Sequence, residues 1–173
     1  MLDKLTLVLG GAGSGKSLWA ETLVRNACDD RVYLATARTW DDEMRQKVAR
    51  HRDQRGDGWT TIEAPLDVAA ALAQARSDQV VLLDCATMWL SNHLLEDSDL
   101  MAEEERFLAA LDTCKAPVVV VSNEVGMSVV PENALARRFR DAQGALNQKL
   151  ATQAGLVVAV MAGLPLALKG RLP

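Results

Sequence analysis

Residues 10–17, Gly-Gly-Ala-Gly-Ser-Gly-Lys-Ser, constrain this chain more than any other segment. They follow the apolar run Leu-Thr-Leu-Val-Leu at 5–9 and lead into Leu-Trp-Ala-Glu-Thr-Leu-Val, so a buried strand passes into a helix through a glycine-rich loop. The spacing G-x-x-x-x-G-K-[ST] suits a phosphate cradle. Glycines let backbone N–H groups turn inward around phosphate oxygens, and the helix N-terminus adds partial positive charge. Lys16 is expected to reach the β- and γ-phosphates, and Ser17 to ligate Mg²⁺. The bland alternative is an ordinary glycine turn ahead of a helix.

The rest of the chain repeats the alternation that this opening starts. Short β-branched runs at 31–35, 60–63, 80–84, 118–122 and 157–161 read as strands, and 17–27, 41–55, 67–76, 103–113 and 133–153 as helices. Asp41 or Asp42 is a plausible N-cap for the second helix. Strands that are apolar throughout need cover on both faces, and regular alternation of strand and helix implies crossovers and a parallel sheet. The expected fold is therefore α/β in three layers, with six or so strands. At 173 residues the chain is expected to form a single domain, 1–173, that needs no disulfide or structural metal.

Composition narrows the function classes. Nineteen Lys and Arg against 23 Asp and Glu leave a formal charge of −4, which argues against a general nucleic-acid-binding surface. With four tryptophans, two phenylalanines and one tyrosine, a base-stacking platform is not expected either. Cys28, Cys85 and Cys114 are widely spaced and odd in number, so each reads as a small buried hydrophobe in a reducing cytoplasm. The apolar stretch at 154–168 contains Pro165 and is too short to span a bilayer, and no secretory signal opens the chain. The expected location is cytoplasmic.

Three further segments carry candidate chemistry. Val-Val-Leu-Leu-Asp at 80–84 ends in Asp84, at the strand edge where open parallel sheets bind ligands; a carboxylate there can hold a water of the Mg²⁺ shell. His51 lies among Lys47, Arg50, Arg52 and Arg55, with Arg45 a turn earlier and Asp53 opposing them. Neighbouring cations disfavour the imidazolium, which leaves a neutral, nucleophilic ring near a charge that attracts polyphosphate. On the residues alone, the favoured account of His51 is a half-buried packing residue beside a solvated basic stripe, sharing a face with Met44, Val48 and Arg55. Asn123 and Glu124 follow a buried strand and serve either a site or a cap. Arg137, Arg138 and Arg140 read as an exposed helical charge run, and His93 as structural.

Taken together, these motifs resemble one family. GGAGSGKSLWAE at 10–21, YLATA at 33–37, DDEMRQKVARHRDQR at 41–55, WTTIEAP at 59–65, LLDCATMWLSN at 82–92 and VSNEVGMSVVPENALARRFRDAQGALNQKLA at 121–151 occur in family order. The chain is similar to the bifunctional adenosylcobinamide kinase/adenosylcobinamide-phosphate guanylyltransferases of cobalamin biosynthesis, over nearly its whole length. The resemblance implies a RecA-like phosphate-loop NTPase fold, a homotrimer, and two reactions. In the first, ATP or GTP phosphorylates the aminopropanol hydroxyl of adenosylcobinamide. In the second, the family histidine, His51 by position, takes GMP from GTP and passes it to adenosylcobinamide phosphate, giving adenosylcobinamide-GDP.

The family's nucleotide contacts carry over to Gly10, Gly11, Ala12, Gly13, Ser14, Gly15, Lys16 and Ser17, to Ala35, Thr36 and Ala37, to Arg52, Asp53, Gln54 and Arg55, and to Glu63 and Asp84. Asp84 stands where some members carry Glu, and Gly13 where many carry Arg. For the corrinoid, residues 89–92 and 123–127 are candidates, because both segments follow strands toward the ligand edge. Two other functions are open on sequence: a monofunctional phosphate-loop small-molecule kinase, and a nucleotide-gated switch. The switch usually reads guanine through Asn-Lys-x-Asp, which this chain lacks.

Overall fold

β1 (Leu5–Gly10) packs in the middle of the sheet, with Leu7 and Val8 fully buried on opposite faces. The computed structural model describes residues 2–38 and 56–173 of the chain. The other strands are β2 (Arg31–Ala35), β3 (Trp59–Glu63), β4 (Val80–Asp84), β5 (Val118–Asn123), β6 (Leu156–Met161) and β7 (Leu164–Lys169). They form one sheet in the order β3-β2-β4-β5-β1-β6-β7, parallel except for the antiparallel β6–β7 pair.

Helices cover both faces, as apolar strands require. On one face α2 (Val68–Ala73), α3 (Ala86–Leu95), α4 (Leu100–Thr113) and α5 (Ala134–Gln153) pack against Leu7, Leu34, Leu83 and Val120. On the other, α1 (Lys16–Ala27) sets Ala20, Leu23 and Val24 against Val8, Leu82 and Val121. The three-layer α/β expectation is met. The strands foreseen at 31–35 and 80–84 have those bounds, and the long helix opens at Ala134 with Asn133 as its cap, its Oδ1 accepting from the N–H groups of Leu135 and Ala136. The helix expected at 41–55 lies outside the described residues.

Two elements depart from the sequence reading. Residues 86–95 form a helix, α3, rather than a loop; it is buried nearly all round, so it has no amphipathic stripe, and its cap residue Cys85 makes no side-chain cap bond. β7 is a seventh strand that contains Pro165. It lies at the sheet edge, where the missing N–H breaks no ladder bond to an outer neighbour. The cysteines are unpaired, but only Cys114 is buried; Cys28 and Cys85 are half-buried. No described helix is long and apolar enough to cross a membrane.

Candidate nucleotide site at the carboxyl edge of the sheet

The loop between β1 and α1 takes its shape from its glycines. Gly13 and Gly15 have φ of 69° and 89°, a left-handed conformation that side chains disfavour. Gly10 is forced by space: a Cβ there would lie 2.4 Å from Ser14 Oγ and 2.7 Å from the Val160 carbonyl oxygen. Ser14 Oγ is buried without a described partner, and Lys16 Nζ donates to the Gly11 carbonyl at 3.0 Å. A buried, unsatisfied hydroxyl and a lysine folded onto its own loop are both polar groups that a bound phosphate would satisfy.

Register aligns the neighbouring strand tips with this loop. Glu63 pairs with Ala35, Ala35 with Asp84, and Asp84 with Val121, so three of the residues assigned to the nucleotide by resemblance form one row. Alternation along β4 puts Asp84 on the same face as Val80 and Leu82, which is the face that carries α1. Lys16 and Ser17 begin α1, so the Ser17 hydroxyl and the Asp84 carboxylate belong to one side of the sheet. Tyr33 on β2 donates its phenol O–H to Asp84 Oδ2 at 3.0 Å and orients that carboxylate. A hydroxyl and a carboxylate, both hard oxygen donors, fit Mg²⁺, which takes few protein ligands and fills its shell with water and phosphate.

The other residues assigned by resemblance divide. Thr36 is fully buried and its hydroxyl is engaged within the protein: Oγ1 donates to the Cys85 carbonyl at 2.7 Å and accepts from the Cys85 N–H at 2.8 Å. Ala35 and Ala37 are half-buried at the same edge, and Glu63 is exposed. His51, Arg52, Asp53, Gln54 and Arg55 lie outside the described residues. Burial pushes the Cys85 thiol up to about 11, with the Asp84 charge adding to the effect, so it stays protonated beside the site at neutral pH.

α3 crosses the carboxyl edge and ties the strand tips together. Thr87 Oγ1 accepts from the Asn123 N–H at 2.8 Å, while Asn92 Nδ2 donates to the Thr36 and Pro65 carbonyls, both at 2.8 Å. The Glu124 N–H donates to the Gly10 carbonyl at 3.0 Å, joining the β5 tip to the start of the phosphate loop. Beneath it, Gln143 and Asn147 of α5 bind Ser122 in a buried network, and Asn147 Nδ2 donates to the Asn123 carbonyl at 3.1 Å. Trp89, Leu90 and Asn92 are at most 1% exposed and belong to the core, whereas Ser91 is half-buried and faces outward. His93 is buried, with its ring nitrogens against Ser98 Oγ and the Leu66 carbonyl.

Sequence reasoning missed the roles of Tyr33, Thr87 and Asn92. Each acts through a partner distant in the chain, and only the pairing of a polar residue with an apolar setting hinted at Asn92.

Comparisons with known proteins agree with this architecture. The sequence model of the family described as cobinamide kinase / cobinamide phosphate guanyltransferase matches residues 6–168. Two relatives are the bifunctional adenosylcobalamin biosynthesis proteins CobP of Pseudomonas aeruginosa and CobU of Salmonella typhimurium. The first is 42% identical, covering 95% of this chain and 96% of the relative; the second is 40% identical, covering 95% and 99%. Among solved structures, the RadB recombinase superposes with a TM-score of 0.56 at 18% identity, over 91% of this chain and 74% of its own. The flagellar accessory protein FlaH of Methanocaldococcus jannaschii gives 0.53 at 14% identity, over 99% and 80%. The structural likeness shows a phosphate-loop NTPase fold.

Proposed function

Because the chain belongs to the cobinamide kinase / cobinamide phosphate guanyltransferase family, we infer that it phosphorylates adenosylcobinamide and then guanylylates the product. The observation that carries this reading is a family match over residues 6–168 on a chain whose glycine loop opens at the carboxyl edge of the sheet. The relatives' names state a bifunctional protein, so the single-activity kinase reading has no comparable support.

In the first reaction the aminopropanol oxygen of adenosylcobinamide attacks the γ-phosphorus of ATP or GTP. A new O–P bond forms, the bond from the γ-phosphorus to the bridging oxygen breaks, and the hydroxyl proton is released. Backbone N–H groups of residues 10–17 and the Lys16 ammonium hold the phosphates and stabilise the charge that develops on them. Ser17 and Asp84 would hold Mg²⁺, which when bound neutralises phosphate charge.

In the second reaction an imidazole nitrogen of His51 attacks the α-phosphorus of GTP. An N–P bond forms and pyrophosphate leaves. An oxygen of adenosylcobinamide phosphate then attacks the same phosphorus, breaks the N–P bond and returns the histidine. Two displacements replace one difficult transfer, and Arg52 and Arg55, beside His51 in sequence, supply positive charge to the nucleotide. Ala35, Ala37, Asp53, Gln54 and Glu63 complete the nucleotide contacts, while Thr36, fully buried, holds Cys85 behind them. The protein works as a single domain over 1–173, assembles as a homotrimer and acts in the cytoplasm.

Incubation with GTP labelled at the α-phosphorus tests the reading. The protein is expected to acquire an acid-labile label that His51→Ala abolishes. A wild-type protein that phosphorylates the corrinoid yet never takes up label would reduce the assignment to a kinase.

A further inference from the structure

A kinase and guanylyltransferase that holds its nucleotide at the glycine loop must hold its acceptor elsewhere at the same sheet edge, with one oxygen brought to phosphorus. An apolar groove of about 300 Å³ lies between α3 and the start of α5. Leu94, Leu95, Leu135 and Phe139 line it, and Ser91 and Asn133 supply its polar atoms. We propose that this groove seats one edge of the corrin ring of adenosylcobinamide and of adenosylcobinamide phosphate; the proposal rests on the functional reading above.

Position supports the assignment first. Thr87, Ser91, Leu94 and Leu95 fall on one stripe of α3 at i, i+4, i+7 and i+8. At its head Thr87 binds the Asn123 N–H, and the next residue, Glu124, binds Gly10 of the phosphate loop. Ser91 is one turn further along, about 6 Å from Thr87 at the helical rise, and Leu95 about 12 Å. The groove thus begins one helical turn beyond the contacts that link α3 to the phosphate loop through Asn123 and Glu124. It runs on along α3, as an acceptor with a reactive side arm and a bulky body requires.

Chemistry supports it second. A corrin is a wide apolar ring fringed with carboxamides, so it needs an apolar bed with a few hydrogen-bonding groups rather than a charged cleft. Asn133 commits Oδ1 to capping α5, while its Nδ2 donates to no described residue, which leaves a donor for a corrin amide. The groove is at the small end of ligand-site volumes, so it holds an edge of the ring and not the whole. Exposed apolar residues Met127, Val129 and Val130 precede Asn133 in the chain, and Val130 lies no more than about 11 Å from it. They extend the apolar surface that the remainder of the ring would cover.

The test measures adenosylcobinamide binding by equilibrium dialysis, read by the visible absorbance of the corrinoid, beside GTP binding and sedimentation. Leu95 and Leu135 are 62% and 48% exposed, so Leu95→Glu and Leu135→Glu change the groove without emptying the core. Each is expected to weaken corrinoid binding by about tenfold or more, with GTP binding and sedimentation unchanged and Leu95→Met close to wild type. Unchanged corrinoid affinity in both Glu variants overturns the groove assignment alone. A loss of assembly in those variants overturns it in favour of a contact between copies of the chain. A wild-type protein that binds GTP but no corrinoid overturns the functional reading itself, and the groove with it.

Discussion

Gly163 donates its backbone N–H to the carbonyl oxygen of Ser14 at 2.8 Å, so the β6–β7 turn braces the phosphate loop from the far end of the chain. A Cβ on Gly15 would lie 3.1 Å from Gly163 Cα, and Gly163 itself has φ of 77°. Gly163→Val therefore forces a β-branched residue into left-handed backbone, at a cost of about 1–2 kcal/mol or more. Thermal denaturation is expected to show a fall of several degrees, with weaker GTP binding in titration. A variant that melts and binds like wild type would show that the brace is dispensable.

Lys16→Ala removes the ammonium from a loop that both reactions use. Phosphorylation and guanylylation are each expected to fall by on the order of a hundredfold. His51→Ala is expected to spare the first and abolish the second. Assaying the two half-reactions separately, with labelled γ- and α-phosphate, distinguishes the patterns; equal loss of both in the His51 variant would make that residue structural.

Asp84→Asn keeps the shape at the β4 tip, and Tyr33 retains an oxygen to donate to, but a negative charge is lost. Turnover is expected to need several-fold more Mg²⁺ for half-saturation, and chelation should stop the wild-type enzyme. A Mg²⁺ titration superimposable on wild type would remove Asp84 from metal binding.

Asn147→Leu strands the hydrogen-bonding groups of Ser122 and Gln143, both fully buried. Leaving them unsatisfied is expected to cost about 1–3 kcal/mol in urea unfolding. It should also loosen Asn123 and, through Glu124, the phosphate loop.

Asp67 caps α2 through the Ala70 N–H at 3.0 Å and meets Arg106 at 2.7 Å. The Ala70 bond, with Arg106 helping, holds its carboxyl below the usual carboxylate range. Its contribution to stability is present above the unfolded-state value near 4 and is lost as pH falls through the lower folded value. Asp67→Ala is expected to cost about 1 kcal/mol at pH 7 and much less near pH 2, read from denaturation midpoints.

Much of the frame was legible from local pattern. The buried strands at 31–35 and 80–84 and the long helix after residue 133 declare themselves through runs of Val and Leu and through a capping Asn. α3 did not, because a helix buried nearly all round carries little period against which polar residues stand out. β7 did not, because Pro165 argues against any strand but an edge one, and edge position is a property of the sheet.

The sequence by itself determined the phosphate loop, the parallel α/β frame and the family, since these rest on spacings and periods that a strand or a helix turn imposes within a few residues. Only the tertiary structure decided that Tyr33 orients Asp84, that Gly163 braces Ser14, and that α3 and α5 enclose an apolar groove. Those relations join residues that the chain separates widely. They arise from strand order and helix packing, which depend on which faces meet, and no local pattern encodes that.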